Sequence, residues 1–182
     1  LAVGAEWVKN LMITMLLEFL SVHSGGIIGS VLANENTSRA KKSTAVAGFG
    51  LFYMLFAGGF SLVFSAWWPA AMFAWLLLAK FAVIWLAPQP GPLERQRQQF
   101  FIAFAAVGYL GGAFLTALLP MPEPGIDAVA RAAAAIPGSG LWVEEPHRVV
   151  AFGALYFGAM AWAKWRWRPG MGMVAATPSR PD

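Results

Sequence analysis

Two side chains that could do chemistry lie inside one long apolar stretch, "LLEFLSVHSGGIIGSVL" at 16–32. Hydrocarbon solvates the carboxyl group of Glu18 and the imidazole of His23 poorly. Glu18 could carry a proton or a cation, or it could stay neutral and form a hydrogen bond between helices. His23 could hold heme or chlorophyll, since the following Ser-Gly-Gly leaves space beside its ring, or it could form an ordinary polar contact.

The spacing of these groups restricts how they could work together. Glu18 and His23 are five residues apart, about 140° around a helix, so they do not share a face. His147 lies at the other end of the predicted bundle, about 24 Å from His23 in depth, so one heme iron cannot bind both histidines. Lys80 is a third ionisable group in an apolar stretch. It could extend its ammonium group to the membrane interface or form an ion pair with Glu18.

A second polar cluster, "EEPHR" at 144–148, consists of Glu144, Glu145, His147 and Arg148. The acids and the proline suit the start of a helix, and a metal or partner contact is the functional alternative. The sequence has no phosphate-binding loop, serine-hydrolase motif or zinc-protease motif, and it has no cysteine. These observations predict that the protein is not an enzyme, has no thiolate chemistry and requires no cofactor or metal.

Composition identifies the environment of the chain. Of its 182 residues, 58% are hydrophobic and only 12% are charged, and the mean hydropathy is +0.59. Soluble domains have about 25% charged residues, so this chain cannot cover a water-exposed surface. It is therefore predicted to be an integral membrane protein. The net charge of +4 is then better explained by basic loops next to the membrane than by nucleic-acid binding.

Hydropathy predicts an all-α bundle of five transmembrane helices in a single domain, 1–182. The spans are expected at about 7–32, 44–64, 69–86, 99–119 and 146–165, each near the length that crosses ~30 Å of hydrocarbon. Trp67, Trp68 and Pro69 predict a tight hairpin between the second and third spans, with one long bent helix as the alternative. A short amphipathic helix is expected on the outer surface within 120–147, and 166–182 is expected to be a cytoplasmic tail.

The basic residues predict the orientation. Most of the thirteen lysines and arginines fall on one side of a five-span layout. Those residues are Arg39, Lys41, Lys42, Arg95, Arg97, Lys164, Arg166, Arg168 and Arg180. Cytoplasmic loops are enriched in such residues, so the N-terminus should lie outside and the C-terminus in the cytoplasm. The expected location is the inner (cytoplasmic) membrane of a bacterium.

Small residues recur at four-residue spacing in three of the spans, which places each set on one helix face. These sets are Ser21, Gly25 and Gly29 in span one, Gly108 and Gly112 in span four, and Ala154 and Gly158 in span five. Small residues let two helix backbones approach closely in a bilayer. The pattern predicts close helix packing, within the chain or against another subunit.

These features together favour a non-catalytic accessory or structural subunit of a larger membrane complex, with lipid and other membrane subunits as its partners. A small transporter or proton-coupled channel subunit using Glu18 is the first alternative. A redox or light-harvesting subunit with heme or chlorophyll on His23 is the second. The sequence indicates neither the partner nor any substrate.

Overall fold

A computed structural model describes residues 3–34, 36–87, 90–121 and 139–167. These residues form helices and connecting turns, and no strand occurs among them. The helices are α1 (Val3–Ala33), α2 (Arg39–Val63), α3 (Trp68–Leu86), α4 (Pro92–Leu118), the single turn α5 (Leu141–Glu144) and α6 (Pro146–Arg166). The predicted surface helix within 120–147 lies mostly outside the described residues, as does the tail after Trp167.

Four of these helices, α1 to α4, are long and apolar enough to cross a membrane. This finding supports the prediction of a multi-pass helical membrane protein. Most of their apolar surface faces outward, since less than two fifths of the most apolar stretch of each helix is buried inside the chain. A bilayer or neighbouring protein is therefore required to cover these helices.

Two helices begin earlier than their predicted spans. α2 begins at Arg39 instead of residue 44, and α4 begins at Pro92 instead of residue 99. The Ser38 side chain accepts a hydrogen bond from the Lys41 backbone N–H, and Pro92 occupies the first turn of α4. Hydropathy marks only the apolar part of a helix. Charged residues such as those of 92–98 continue the helix without contributing to that signal.

The predicted hairpin between α2 and α3 is confirmed, because the two helices end and begin within four residues and pack against each other. Ser65 has a φ of +49°, which reverses the chain direction. Ser61 fixes the turn from both sides: its carbonyl accepts from the Ala66 N–H at 2.9 Å and its hydroxyl from the Ala70 N–H at 3.0 Å. A single bent helix is therefore excluded.

α1 is the central helix of the bundle. It contacts the α2–α3 hairpin on one flank and the α4–α6 pair on the other. Met12, Ile13, Leu17 and Leu20 of α1 belong to the hydrophobic core shared with α2 and α3, whereas Met15 belongs to the core shared with α4 and α6. Residues close together in α1 therefore pack against different helices, and Glu18 and His23 lie at boundaries between those helices.

Candidate functional site

Glu18 is a half-buried member of an interhelical hydrogen bond. The Tyr156 hydroxyl of α6 donates to Glu18 Oε1 at 2.6 Å. A short hydrogen bond from a phenol satisfies one carboxyl oxygen and ties α1 to α6. This bond is the contact expected of the structural reading of Glu18, and proton or cation transport through Glu18 stays a prediction.

A second tyrosine makes the same kind of tie one helix away. The Tyr109 hydroxyl of α4 donates to the Met15 carbonyl of α1 at 2.7 Å. The Tyr109 ring packs edge-on against Phe152 and Tyr156, with centroid distances of 4.9 and 5.6 Å. Together the two hydroxyls fix the rotation of α4 and α6 about α1. Sequence reasoning did not identify either tyrosine, although a phenol in an apolar helix generally requires a hydrogen-bond partner.

Lys80 does not form the ion pair with Glu18 that the sequence allowed, since no such pair occurs within the described residues. Lys80 is half-buried on α3. Glu18 instead accepts from Tyr156, on the flank of α1 that faces α6. Lys42 is the buried cation at the far end of α1: it is 5% exposed, and its Nζ donates to the Leu32 carbonyl at 2.7 Å. A cation there complements the negative end of the helix dipole.

The polar cluster at 144–148 closes the gap between α4 and α6. Arg148 Nη1 donates to the carbonyls of Thr116 and Leu119 at 2.6 and 2.8 Å, and its Nε donates to Glu145 Oε2 at 2.6 Å. These carbonyls belong to the last turn of α4, which has no intrahelical donors of its own. Arg148 therefore caps α4 from α6, which agrees with a helix-start role for this cluster.

The other members of the cluster differ in their contacts, and the buried Nδ1 of His147 has no hydrogen-bond partner within the described residues. His147 is 3% exposed, and its Nε2 lies 3.6 Å from Glu145 Oε2. Glu144 accepts a hydrogen bond from the Gly140 N–H at 3.2 Å, which stabilises the α5 turn. Within 3–34, 36–87, 90–121 and 139–167, no three His, Asp or Glu side chains come together as metal ligands.

The small residues divide into those that contact a neighbouring helix and those that face outward. A β-carbon added at Gly112 would lie 2.8 Å from the Phe152 ring, one at Gly29 would lie 3.1 Å from Ile102, and one at Gly108 would lie 3.8 Å from Tyr156. By contrast, an added β-carbon at Gly25 or Gly158 meets nothing within 4 Å. Ser21 is half-buried, and its backbone carbonyl accepts a hydrogen bond from the Ser24 hydroxyl at 3.4 Å.

His23 is exposed and forms no hydrogen bond within the described chain, whereas the unpartnered Nδ1 of His147 is buried. Its ring lies 5.5 Å from Phe19 and 6.2 Å from Tyr53, measured between centroids. It lines a cleft of about 300 Å³ between α1 and α4, which we call the His23 cleft. Its walls include Phe19, His23 and Gly26 of α1 and Ile102, Ala106 and Tyr109 of α4.

Comparison with known proteins adds no relative: no protein-family model, curated protein or solved structure matches this chain. Function must therefore be argued from the residues and their geometry.

Proposed function

We propose that this chain is a non-catalytic subunit of a larger complex in the bacterial inner membrane, and that it docks through the outward face of α6. In this arrangement the chain crosses the bilayer five times, with its N-terminus outside. The 21 residues of α6 are about 31 Å long, enough for the fifth crossing. The basic residues at the N-terminal ends of α2 and α4 and in the last turn of α6 support this orientation.

The observation that carries the proposal is the small-residue pair on α6, Ala154 and Gly158. Both residues are exposed, and an added β-carbon at Gly158 meets no atom within 4 Å. A side chain of this protein already occupies the space beside glycines such as Gly112 on α4, whereas the space beside Gly158 is open. An open small-residue face in a bilayer lets another helix approach closely, and close approach drives helix association in lipid.

The composition of α6 supports the same conclusion. α6 is not among the four helices that are apolar enough to cross a membrane on length and hydropathy alone. It begins with Pro-His-Arg and ends with Lys-Trp-Arg. Because its hydropathy is lower, α6 is less stable surrounded by lipid than the other four helices are, and contact with a neighbouring protein helix would offset this.

Substituting the small pair tests the docking face. Gly158→Leu and Ala154→Leu should each release the chain from its complex, because the added side chains hold the partner backbone away. Gly48→Leu is the matched control, since Gly48 is an equally open glycine on α2. The measurement is native mass spectrometry of membranes extracted in mild detergent. Assembly of Gly158→Leu and Ala154→Leu at the level of Gly48→Leu would show that this face does not dock a partner.

Cysteine labelling tests the five-span layout separately. The natural chain has no cysteine, so Lys9→Cys, Lys41→Cys and Arg95→Cys each introduce one thiol. A membrane-impermeant maleimide should label Lys9→Cys in intact spheroplasts. It should label the other two only after permeabilisation. Labelling of Lys41→Cys and Arg95→Cys from opposite sides would contradict the layout.

A further inference from the structure

The starting observation is an unsatisfied polar ring in the apolar part of the bundle. His23 lies ten residues before Ala33, about 15 Å along the helix from the C-terminal end of α1, within the apolar part of a candidate membrane-spanning helix. Its imidazole is exposed and forms no hydrogen bond with the described residues. Polar groups are unfavourable in hydrocarbon unless a partner satisfies them. A ligand that accepts a hydrogen bond would provide that partner.

The walls of the His23 cleft suit a flat apolar molecule. Phe19 and Tyr109 lie 5.8 Å apart between ring centroids, and Phe19 also borders His23. The Tyr109 hydroxyl is already engaged by the Met15 carbonyl at 2.7 Å, so Tyr109 offers its ring to the cleft and not its hydroxyl. His23 is therefore the single polar anchor on an otherwise apolar and aromatic wall.

The size and opening of the cleft restrict the ligand further. Gly26 and Ala106 leave the space, and the volume of about 300 Å³ is at the lower end of the range for small-molecule sites. Phe19 is 40% and Leu110 56% exposed at its edge, so the cleft opens laterally toward the surface that lipid covers. A ligand would enter from the bilayer and could leave an apolar tail there.

We propose that the His23 cleft binds a membrane quinone. The quinone ring packs against the rings of Phe19 and Tyr109 on the wall of the cleft, one carbonyl oxygen accepts a hydrogen bond from the His23 N–H, and the isoprenoid tail extends into lipid. A porphyrin is disfavoured because its macrocycle is large for this volume. A phospholipid headgroup is disfavoured because it resides at the interface and not at the depth of His23.

This proposal is independent of the docking face on α6, because none of the cleft residues belongs to that helix. The test uses the full chain in phospholipid nanodiscs containing either a short-chain benzoquinone or a short-chain naphthoquinone. Bound quinone is separated from free quinone with empty nanodiscs as the blank, and Kd is determined by titration. At least one of the two probes should bind the natural chain at one molecule per chain.

Three variants assign the binding to the cleft. His23→Leu removes the donor and should weaken binding by about tenfold, the usual effect of one hydrogen bond. His23→Gln keeps an N–H donor and should recover much of that loss. Ala106→Phe fills the cleft and should abolish binding, whereas Gly48→Leu on α2 should leave Kd unchanged.

A stability measurement keeps the test interpretable. Without quinone, His23→Leu should melt at a temperature equal to or above that of the natural chain, because an exposed imidazole is replaced by an apolar side chain. Loss of binding together with unchanged or raised stability supports the site. The proposal is overturned if neither probe binds above the blank, or if His23→Leu binds as tightly as the natural chain. It is also overturned if His23→Cys cross-links to a second protein chain that fills the cleft.

Discussion

The two flanks of α1 are held by different kinds of interaction. The α2–α3 flank is closed mainly by aliphatic and aromatic packing around residues such as Leu17, Leu20 and Phe73, with one hydrogen bond from Lys42 to the Leu32 carbonyl near the end of α1. The α4–α6 flank adds hydrogen bonds across helices, from Tyr109, Tyr156 and Arg148. A hairpin with a tight turn already limits how its two helices can meet. α4 and α6 are separated by a longer connection, and the directional bonds specify their register.

The comparison also explains why His23 stands apart. Near the end of α4, polar groups with no intrahelical partner are satisfied by Arg148. In the middle of α1, Glu18 and the Met15 carbonyl are satisfied by tyrosines. His23 lies on the same helix as Glu18 and has no such partner within the described residues, and the buried Nδ1 of His147 also has none.

The largest effect is expected at Arg148, which is the strongest polar tie on the α4–α6 flank. Arg148→Leu would leave the Thr116 and Leu119 carbonyls and the Glu145 carboxylate without this donor. The Arg148 side chain is 14% exposed and Glu145 is 38% exposed, so the loss is that of charge-assisted hydrogen bonds partly screened by solvent, about 1–3 kcal/mol of unfolding free energy. Unfolding by sodium dodecyl sulfate in mixed micelles, followed by far-UV circular dichroism, measures this loss of unfolding free energy.

The control for Arg148 is Arg97→Leu. Arg97 pairs with Glu94 at 3.3 Å, but both side chains are about half exposed. Exposed pairs of this kind contribute less than about 1 kcal/mol to the unfolding free energy. Equal losses for the two variants would show that Arg148 acts only as a surface charge, and the contrast between the two flanks would then be wrong.

Much of the fold could be predicted from the sequence because hydrophobic length and cationic loops are local signals. The apolar stretches of α1 to α4 and the hairpin at Trp67, Trp68 and Pro69 were all visible. Helix ends were less predictable, since the helical segment 92–98 is polar and hydropathy does not register it.

The site was harder to predict because it depends on how helices are rotated about their axes. Glu18 and His23 were identified by their residue types, but their partners lie on other helices and their spacing in α1 does not reveal them. Glu18 meets Tyr156, which is distant in sequence, whereas Lys80 was the partner that charge suggested. The His23 cleft is lined by the small residues Gly26 of α1 and Ala106 of α4, and their meeting at one cleft is a tertiary property.

A smaller effect is expected where the α4–α6 flank meets Glu18. Tyr156→Phe removes the hydroxyl that donates to Glu18 Oε1 and leaves a half-buried carboxyl group without this donor, at a cost of about 1–3 kcal/mol. Glu18→Gln keeps a carbonyl oxygen as acceptor and should cost less than Tyr156→Phe. The same unfolding measurement applies.

Tyr53→Phe on the opposite flank is the control for this pair, since the Tyr53 hydroxyl makes no hydrogen bond within the described residues. It should change stability little. If Glu18→Gln destabilised the chain as much as Tyr156→Phe, the bond would depend on a charged carboxylate. The simple structural role assigned to Glu18 would then fail.

The smallest effect compares one glycine from each flank. A β-carbon at Gly112 would lie 2.8 Å from the ring of Phe152, which is 0% exposed and packed against Tyr109 and Tyr156. A β-carbon at Gly50 would lie 2.7 Å from the end of the Leu77 side chain, which is half-buried and can change rotamer.

Gly112→Ala should therefore cost about 1 kcal/mol or more, by displacing a fixed ring. Gly50→Ala should be close to neutral, because the gain in helix propensity offsets a cheap rearrangement of Leu77. Thermal unfolding of both variants in the same detergent decides between these expectations. A larger loss at Gly50 would mean that the apolar flank is the more rigid one, and the directional bonds of α4 and α6 would then not be what fixes the bundle.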